Sequence, residues 1–203
     1  VEIDPRRHAP LAATGVPAAA GRLHLFHGDA VEHPLAGYDT ALGDFKIVAN
    51  LPYAISTPWF DGVLSRPLPE RTVLMVQREA ADRFLAAPGT KNFGAISIFL
   101  QSAFAAAPGH AVSRNCFYPA PDIDSYLLNL QRRPEPFLFR DATRQLIRAC
   151  FQQRRKQIGA LLRRPAPAAV EPWVATLAAA GLHLQARPEQ IPAALWQPLA
   201  RLP

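Results

Sequence analysis

The segment Phe45-Lys-Ile-Val-Ala-Asn50-Leu51-Pro52-Tyr53 decides the architecture of this chain. A mostly apolar run, Phe45 to Ala49, leads straight into a polar turn, the pattern of a strand that opens into a loop at its C-terminal end. A second run, Arg71 to Gln77, carries Val73-Leu74-Met75-Val76 and reads as a buried strand. A helical stretch follows each run, at Thr57 to Leu64 and at Glu79 to Ala86. Further strands are expected at Val1 to Asp4, Arg22 to His27 and Tyr126 to Leu130. Strands alternating with helices predict an α/β sheet domain.

Pro134-Glu135-Pro136 interrupts that alternation. Proline lacks a backbone donor and restricts the residue before it, so this is the expected hinge. The spacing predicts two parts, residues 1–133 forming the sheet domain and 134–203 a small helical domain. In the second part Asp141 is expected to cap a helix bearing Leu146, Ile147, Cys150 and Phe151. Another helical stretch carries Ile158, Leu161 and Leu162. Pro172 is expected in a first helical turn, Gly181 at that helix's end and Pro192 at the start of the last helix.

The composition is that of a globular chain with a core: 203 residues, 49% hydrophobic and 19% charged. The net charge of +6 favours an anionic partner, nucleic acid first and a membrane surface second. A base-rich genome gives the same bias, since Arg, Ala and Pro are abundant and Lys is scarce. No run approaches the roughly 20 apolar residues of a membrane span, so no membrane partner is expected and the cytoplasm is the default. Cys116 and Cys150 form no C-x-x-C pair and are expected as reduced core thiols. His24 and His27 lack convergent ligands, so no metal is expected.

The loop itself carries the chemistry. Ligands in open α/β sheets sit in the crevice at the strand C-termini. Asn50 offers a carbonyl acceptor and an amide donor there, and Pro52 leaves the backbone rich in acceptors. Tyr53 adds a flat ring. Acceptors beside an aromatic face suit an adenine, whose amino group donates and whose ring stacks. The same tetrapeptide is also an ordinary strand-to-helix turn, because Asn and Pro are common turn formers.

Five ordered segments narrow the reading: Asn50-Leu-Pro-Tyr-Ala-Ile-Ser-Thr-Pro58, Val76-Gln-Arg-Glu-Ala-Ala-Asp-Arg-Phe84, Gly94-Ala-Ile-Ser-Ile98, Phe117-Tyr-Pro-Ala-Pro-Asp-Ile-Asp-Ser125 and Phe151-Gln-Gln-Arg-Arg-Lys156. Together they resemble the ribosomal RNA adenine dimethyltransferases of the small-subunit, kasugamycin-sensitivity type. The resemblance implies a Rossmann-like S-adenosylmethionine-dependent methyltransferase sheet followed by a small all-helical domain. It implies dimethylation of two adjacent adenosines near the 3′ end of small-subunit ribosomal RNA, with that RNA and the pre-ribosomal small subunit as partners and the enzyme a monomer.

By the same resemblance Glu2 accepts from the cofactor ribose and Asp29, in Gly28-Asp29-Ala30, from the cofactor adenine, with Asn50 near both substrate and cofactor. Asn50, Leu51, Pro52 and Tyr53 would receive the target base and Phe117 would cover its other face. Arg154, Arg155 and Lys156 would meet RNA phosphates, with Arg148, Arg163 and Arg164 nearby; a solvated helix face is the alternative. The family's glycine-rich loop and first strand are expected before Glu2 and do not occur in this sequence. These 203 residues by themselves are therefore expected to bind cofactor poorly and to be inactive. Ala54 and Ala160 stand where the family usually has Asn. Two other readings stay open: a large-subunit RNA adenine methyltransferase of the antibiotic-resistance type, and a non-catalytic RNA-binding or assembly factor on the same scaffold.

Overall fold

Strand β1 (Lys46–Asn50) lies parallel to β2 (Arg71–Gln77), paired from Lys46↔Arg71 to Asn50↔Met75. The computed structural model describes residues 1–15, 23–162 and 167–201. β2 alternates in burial, with Thr72, Leu74 and Val76 enclosed, as a strand with one face on a core must. The link between the strands is α2 (Ser56–Val63), which follows the short α1 (Pro5–Pro10) in chain order. β2 runs directly into α3 (Arg78–Phe84), and then comes α4 (Ala95–Ala103).

Strands β3 (Phe104–Ala106), β4 (His110–Val112) and β5 (Ser125–Arg132) complete the sheet. β5 pairs antiparallel with β2 over seven positions, Arg71↔Gln131 to Gln77↔Ser125. On its other side β5 meets both β3 and β4, in registers that differ by one residue. Ala107–Gly109 thus carries one extra residue, a bulge that bends this edge strand. Gly109 is required there, because a Cβ would lie 2.6 Å from the Leu127 carbonyl.

The expected strands at Val1–Asp4 and Arg22–His27 contract to one parallel bridge, Glu2↔His27; Arg22 lies outside the described residues. The cause is local. The Asp4 carboxylate accepts from the Arg6 amide at 2.9 Å and Pro5 occupies the first helical position, so α1 begins where the strand would continue.

After the prolines come α5 (Asp141–Gln152), α6 (Ile158–Leu161), α7 (Pro167–Ala179) and α8 (Ala193–Trp196). Two details differ from expectation. Asp141 is the first residue of α5, with Arg140 at the cap, so its charge favours the helix N-terminus without capping it. Pro172 lies at the sixth position of α7, where its ring costs an intrahelical bond. Gly181 does close α7. Its φ is +74°, the Leu182 amide reaches the Leu177 carbonyl at 2.9 Å, and its own amide reaches Ala178 at 3.0 Å. Pro192 caps α8.

One apolar cluster spans both parts of the chain. Trp59, Phe60, Val63, Phe84 and Phe99 line it on the sheet side, and Ile147, Trp173, Leu177 and Trp196 beyond the prolines. α4 is enclosed almost all round, which explains why its sequence lacks the amphipathic period by which a helix is usually found. Across the junction, Asp61 of α2 accepts from Arg144 at 2.8 Å and from Arg148 at 2.7 Å. Arg144 also donates to the Ser65 hydroxyl at 2.6 Å, and both guanidinium groups lie 5.4 Å from the Phe99 ring centre.

Two predictions follow from this packing. Asp61→Ala leaves the Arg144 guanidinium, 6% exposed, hydrogen-bonded to Ser65 and the residue 61 carbonyl, with the Asp141 carboxylate 4.0 Å away. Losing a charged hydrogen bond at such a site costs about 1.5–3 kcal/mol, read as a lower urea midpoint at constant slope. An unchanged midpoint would show the latch to be idle. The second concerns the thiols, of which only Cys150 is in the core, whereas Cys116 is exposed, contrary to the sequence expectation. Burial pushes the Cys150 thiol from 9.0 to about 11. The folded state then holds a proton that the unfolded state releases, so this contribution is intact below pH 9.0 and is lost as pH rises toward about 11. Iodoacetamide at neutral pH should give one adduct, on Cys116, and a second only after unfolding. Two adducts on the native protein would contradict this placement.

Candidate active site

β1 and β2 are parallel and β5 is antiparallel to β2, so the C-terminal ends of the first two and the start of β5 share one edge of the sheet. Asn50 is the last residue of β1 and is exposed at that edge. Its side-chain amide has no hydrogen-bond partner within the protein among the described residues, so both its donor and its acceptor face solvent. Leu51 is half-buried and anchors the loop to the core. Pro52 is extended and precedes a single 3₁₀ turn, Tyr53–Ile55; its carbonyl accepts from the Ile55 amide at 3.1 Å. The buried Ser56 donates to the Tyr53 carbonyl at 3.0 Å and joins the turn to α2. Tyr53 is half-buried, and its hydroxyl is hydrogen-bonded to the Ser125 hydroxyl.

Phe117 reaches the same edge from the segment before β5. It follows the 3₁₀ turn Arg114–Cys116, whose first amide is capped by the Asp124 carboxylate at 3.0 Å. Ser113 caps the next amide at 3.2 Å, and the Phe117 amide donates to the Arg114 carbonyl at 3.2 Å. The Asp124 carbonyl accepts from the Arg78 amide at 3.0 Å, which ties this segment to the end of β2. Ser125 follows, enclosed, as the first residue of β5. The sequence reading quoted Ser125 inside a motif but gave it no role; its facing position across from Tyr53 comes from pairing 72 residues apart in the chain.

Glu2 and Asp29 are brought together by the Glu2↔His27 bridge, through the Gly28 amide donating to the Glu2 carbonyl at 3.1 Å. One Glu2 oxygen accepts from the Asp4 amide at 2.8 Å and one Asp29 oxygen from the Val31 amide at 2.8 Å. Each carboxylate is thus oriented by its own backbone and keeps a second oxygen as an acceptor. No backbone pairing links this corner to Asn50 among the described residues.

The basic run divides. Arg154 donates to the Lys91 carbonyl at 2.8 Å and lies 3.8 Å from the Glu189 carboxylate, so its guanidinium is engaged within the protein. Arg155 and Lys156 are exposed and have no ion-pair partner among the described residues. Arg148 is bound by Asp61, and Arg163 and Arg164 lie outside the described residues.

The ribosomal RNA adenine dimethylase family matches residues 1–193. The chain is 58% identical over 200 residues to the ribosomal RNA small subunit methyltransferase A of Opitutus terrae, covering 98% of this chain and 72% of that protein. It is 39% identical to the protein of that name from Streptomyces griseus, covering 94% and 67%. It is 32% identical to that from Lawsonia intracellularis, covering 89% and 65%, so the chain spans about two-thirds of its relatives' length. In fold it is similar to a dimethyladenosine transferase from Plasmodium falciparum, with a TM-score of 0.75 at 24% identity, covering 97% of this chain and 78% of that one. It is also similar to the 23S rRNA methyltransferase ErmE, with a TM-score of 0.64 at 25% identity, covering 98% and 79%. With an exposed Asn-Leu-Pro-Tyr loop at a strand end of a methyltransferase-like sheet, this chain belongs to the ribosomal RNA adenine dimethylase family.

Proposed function

We propose that the protein dimethylates the amino groups of two adjacent adenosines near the 3′ end of small-subunit ribosomal RNA, as a monomer in the cytoplasm acting on the pre-ribosomal small subunit. The observation that carries the reading is the Asn50 amide, solvent-facing and without an internal partner, beside a tyrosine whose hydroxyl is held from the facing strand.

The adenine amino nitrogen is a weak nucleophile, because its lone pair is delocalised into the ring. Asn50 and the Leu51–Pro52 backbone would accept its hydrogens and favour a pyramidal nitrogen. Tyr53 would stack on the base and Phe117 on its other face. Most of the acceleration then comes from positioning. An open pair of acceptors also admits a monomethylated amine, as the second transfer requires. S-Adenosylmethionine, when bound, supplies an electrophilic methyl group on a sulfonium. The residues present fit its adenosine portion: Glu2 and Asp29 each keep a carboxylate oxygen that accepts, suited to ribose hydroxyls and an adenine amino group. Asn50 would border both ligands.

Residues 134–203 would hold RNA by its backbone, the exposed Arg155 and Lys156 of the Arg154-Arg155-Lys156 run meeting phosphates while Arg154 braces the loop before α4. Small-subunit RNA is preferred to large-subunit RNA as substrate because the relatives quoted above carry the small-subunit name and the Gln153-Arg154-Arg155-Lys156 and Pro119–Ser125 motifs agree with it.

Asn50→Ala in the full-length protein should lower methyl transfer to small-subunit RNA by roughly 10²–10³, the scale of one lost contact to a reacting group. RNA affinity should stay near the parent's. Turnover at the parent rate would reduce Asn50 to a turn residue, and methylation of large-subunit RNA alone would favour the resistance-type reading. Replacing Arg155 and Lys156 by Gln should flatten the slope of log affinity against log salt by roughly 0.7–0.9 per lost contact. Arg154→Gln should leave that slope unchanged and lower stability instead. Parallel salt lines for parent and double variant would place the RNA surface elsewhere.

A further inference from the structure

Two consecutive residues tie down the Tyr53 side chain and the backbone turn that leads into Phe117. Ser125 is fully enclosed, and its backbone is fixed on two sides, by Gln77 of β2 and Val112 of β4. Its hydroxyl is therefore a stationary partner for the Tyr53 hydroxyl. Tyr53 otherwise hangs on a three-residue 3₁₀ turn, a support too short to fix the far end of its ring. Asp124, one residue earlier, caps the turn that carries Phe117 and accepts from the Arg78 amide through its carbonyl. The Tyr53 ring and the backbone that carries Phe117 are thus referenced to the same junction of β2 and β5.

We propose that Ser125 is a positioning residue that orients the Tyr53 ring against the target adenine, with Asp124 holding Phe117 to the same reference. The proposal rests on the function proposed above. A base held between two rings needs them placed to within about 0.5 Å and 10–20° if its amino group is to meet Asn50. The Tyr53–Ser125 bond joins the Asn50 loop to the segment after Phe117, and Tyr53 is only half-buried, so part of its surface remains accessible. Ser125 itself is enclosed, so it acts through Tyr53 and touches no substrate.

The test uses the full-length protein with Tyr53→Phe, Ser125→Ala and the double variant. Each single change strands a hydroxyl, whereas the double change removes both partners and keeps the fold assessable if a single variant is unstable. The proposal expects each single variant to lose roughly ten- to a hundred-fold in kcat, with KM for RNA unchanged. The double variant should be no slower than the slower single one, because the changes break one interaction. A 2-aminopurine placed at the target position should fluoresce more strongly in complexes of all three variants than in the parent complex, since a base no longer stacked is less quenched. Parent-like kcat and emission in the variants, or losses that multiply in the double variant, would overturn the positioning role. If Asn50→Ala abolishes transfer while the Ser125 variants turn over normally, the function stands and this inference alone falls. If the parent protein methylates no adenine, both fall.

Discussion

The seven-residue ladder between β2 and β5 is the constraint on which the rest of the structure depends. It joins two segments separated by about fifty residues and sets the register of everything attached to them. At one end it delivers Gln77 opposite Ser125, next to the Asn50 loop and the Phe117 segment. At the other, Arg132 donates to the Leu68 carbonyl at 3.0 Å and to Asp44 at 2.8 Å, closing the far side of the sheet. A slip of one residue would turn Leu128 and Leu130 out of the core and move Ser125 away from Tyr53. Fold stability and site geometry thus depend on one register.

The charge of the chain is spent unevenly. Net charge alone suggests a basic surface, yet Arg132, Arg144, Arg148 and Arg154 are all committed to internal partners. Arginine suits this work because its planar fork binds a carboxylate and carbonyls at once and lies flat on a ring such as Phe99. The basic groups left for an anionic partner are fewer than the composition implies, Arg155 and Lys156 among them. Bulk charge predicts a class of partner, whereas only geometry shows which charges remain available to it.

Much of the sheet was legible because its strands obey simple rules. Arg71–Gln77 falls where its apolar run placed it, and β1 and α2 lie within a residue of expectation. The Asn50 loop was legible too, since a polar turn after an apolar strand is a local signal. What escaped was set by tertiary contact. α4 is buried all round and so carries no amphipathic period, and β3 and β4 are three residues each, split by a bulge. The contraction of the first strand to a single bridge has the opposite origin: Asp4-Pro5 is a strong local helix start immediately at the end of the expected strand. The Tyr53–Ser125 and Asp61–Arg144 contacts join residues 72 and 83 apart in the chain, and no local pattern announces either.

Those contacts also form a continuous mechanical path. Arg154 holds the carbonyls of the loop that leads into α4. Phe99, on α4, lies under Arg144 and Arg148, which grip Asp61. Asp61 is on α2, and α2 begins at Ser56, bonded to the Tyr53 carbonyl. Every link is a packed side chain or a hydrogen bond, so the helices after Pro136 are tied to the element that carries the Asn50 loop by side-chain contacts as well as by the chain itself. On the proposed function these contacts have a consequence. An enzyme that holds a long RNA by its phosphates with one part and a single base with another must keep the distance between them constant, because positional error at the reacting nitrogen is penalised steeply. A flexible joint at Pro134–Pro136 would spread that distance. An apolar cluster with members on both sides of the joint opposes such spreading, and the pairing of Arg144 and Arg148 with Asp61 across it acts in the same sense.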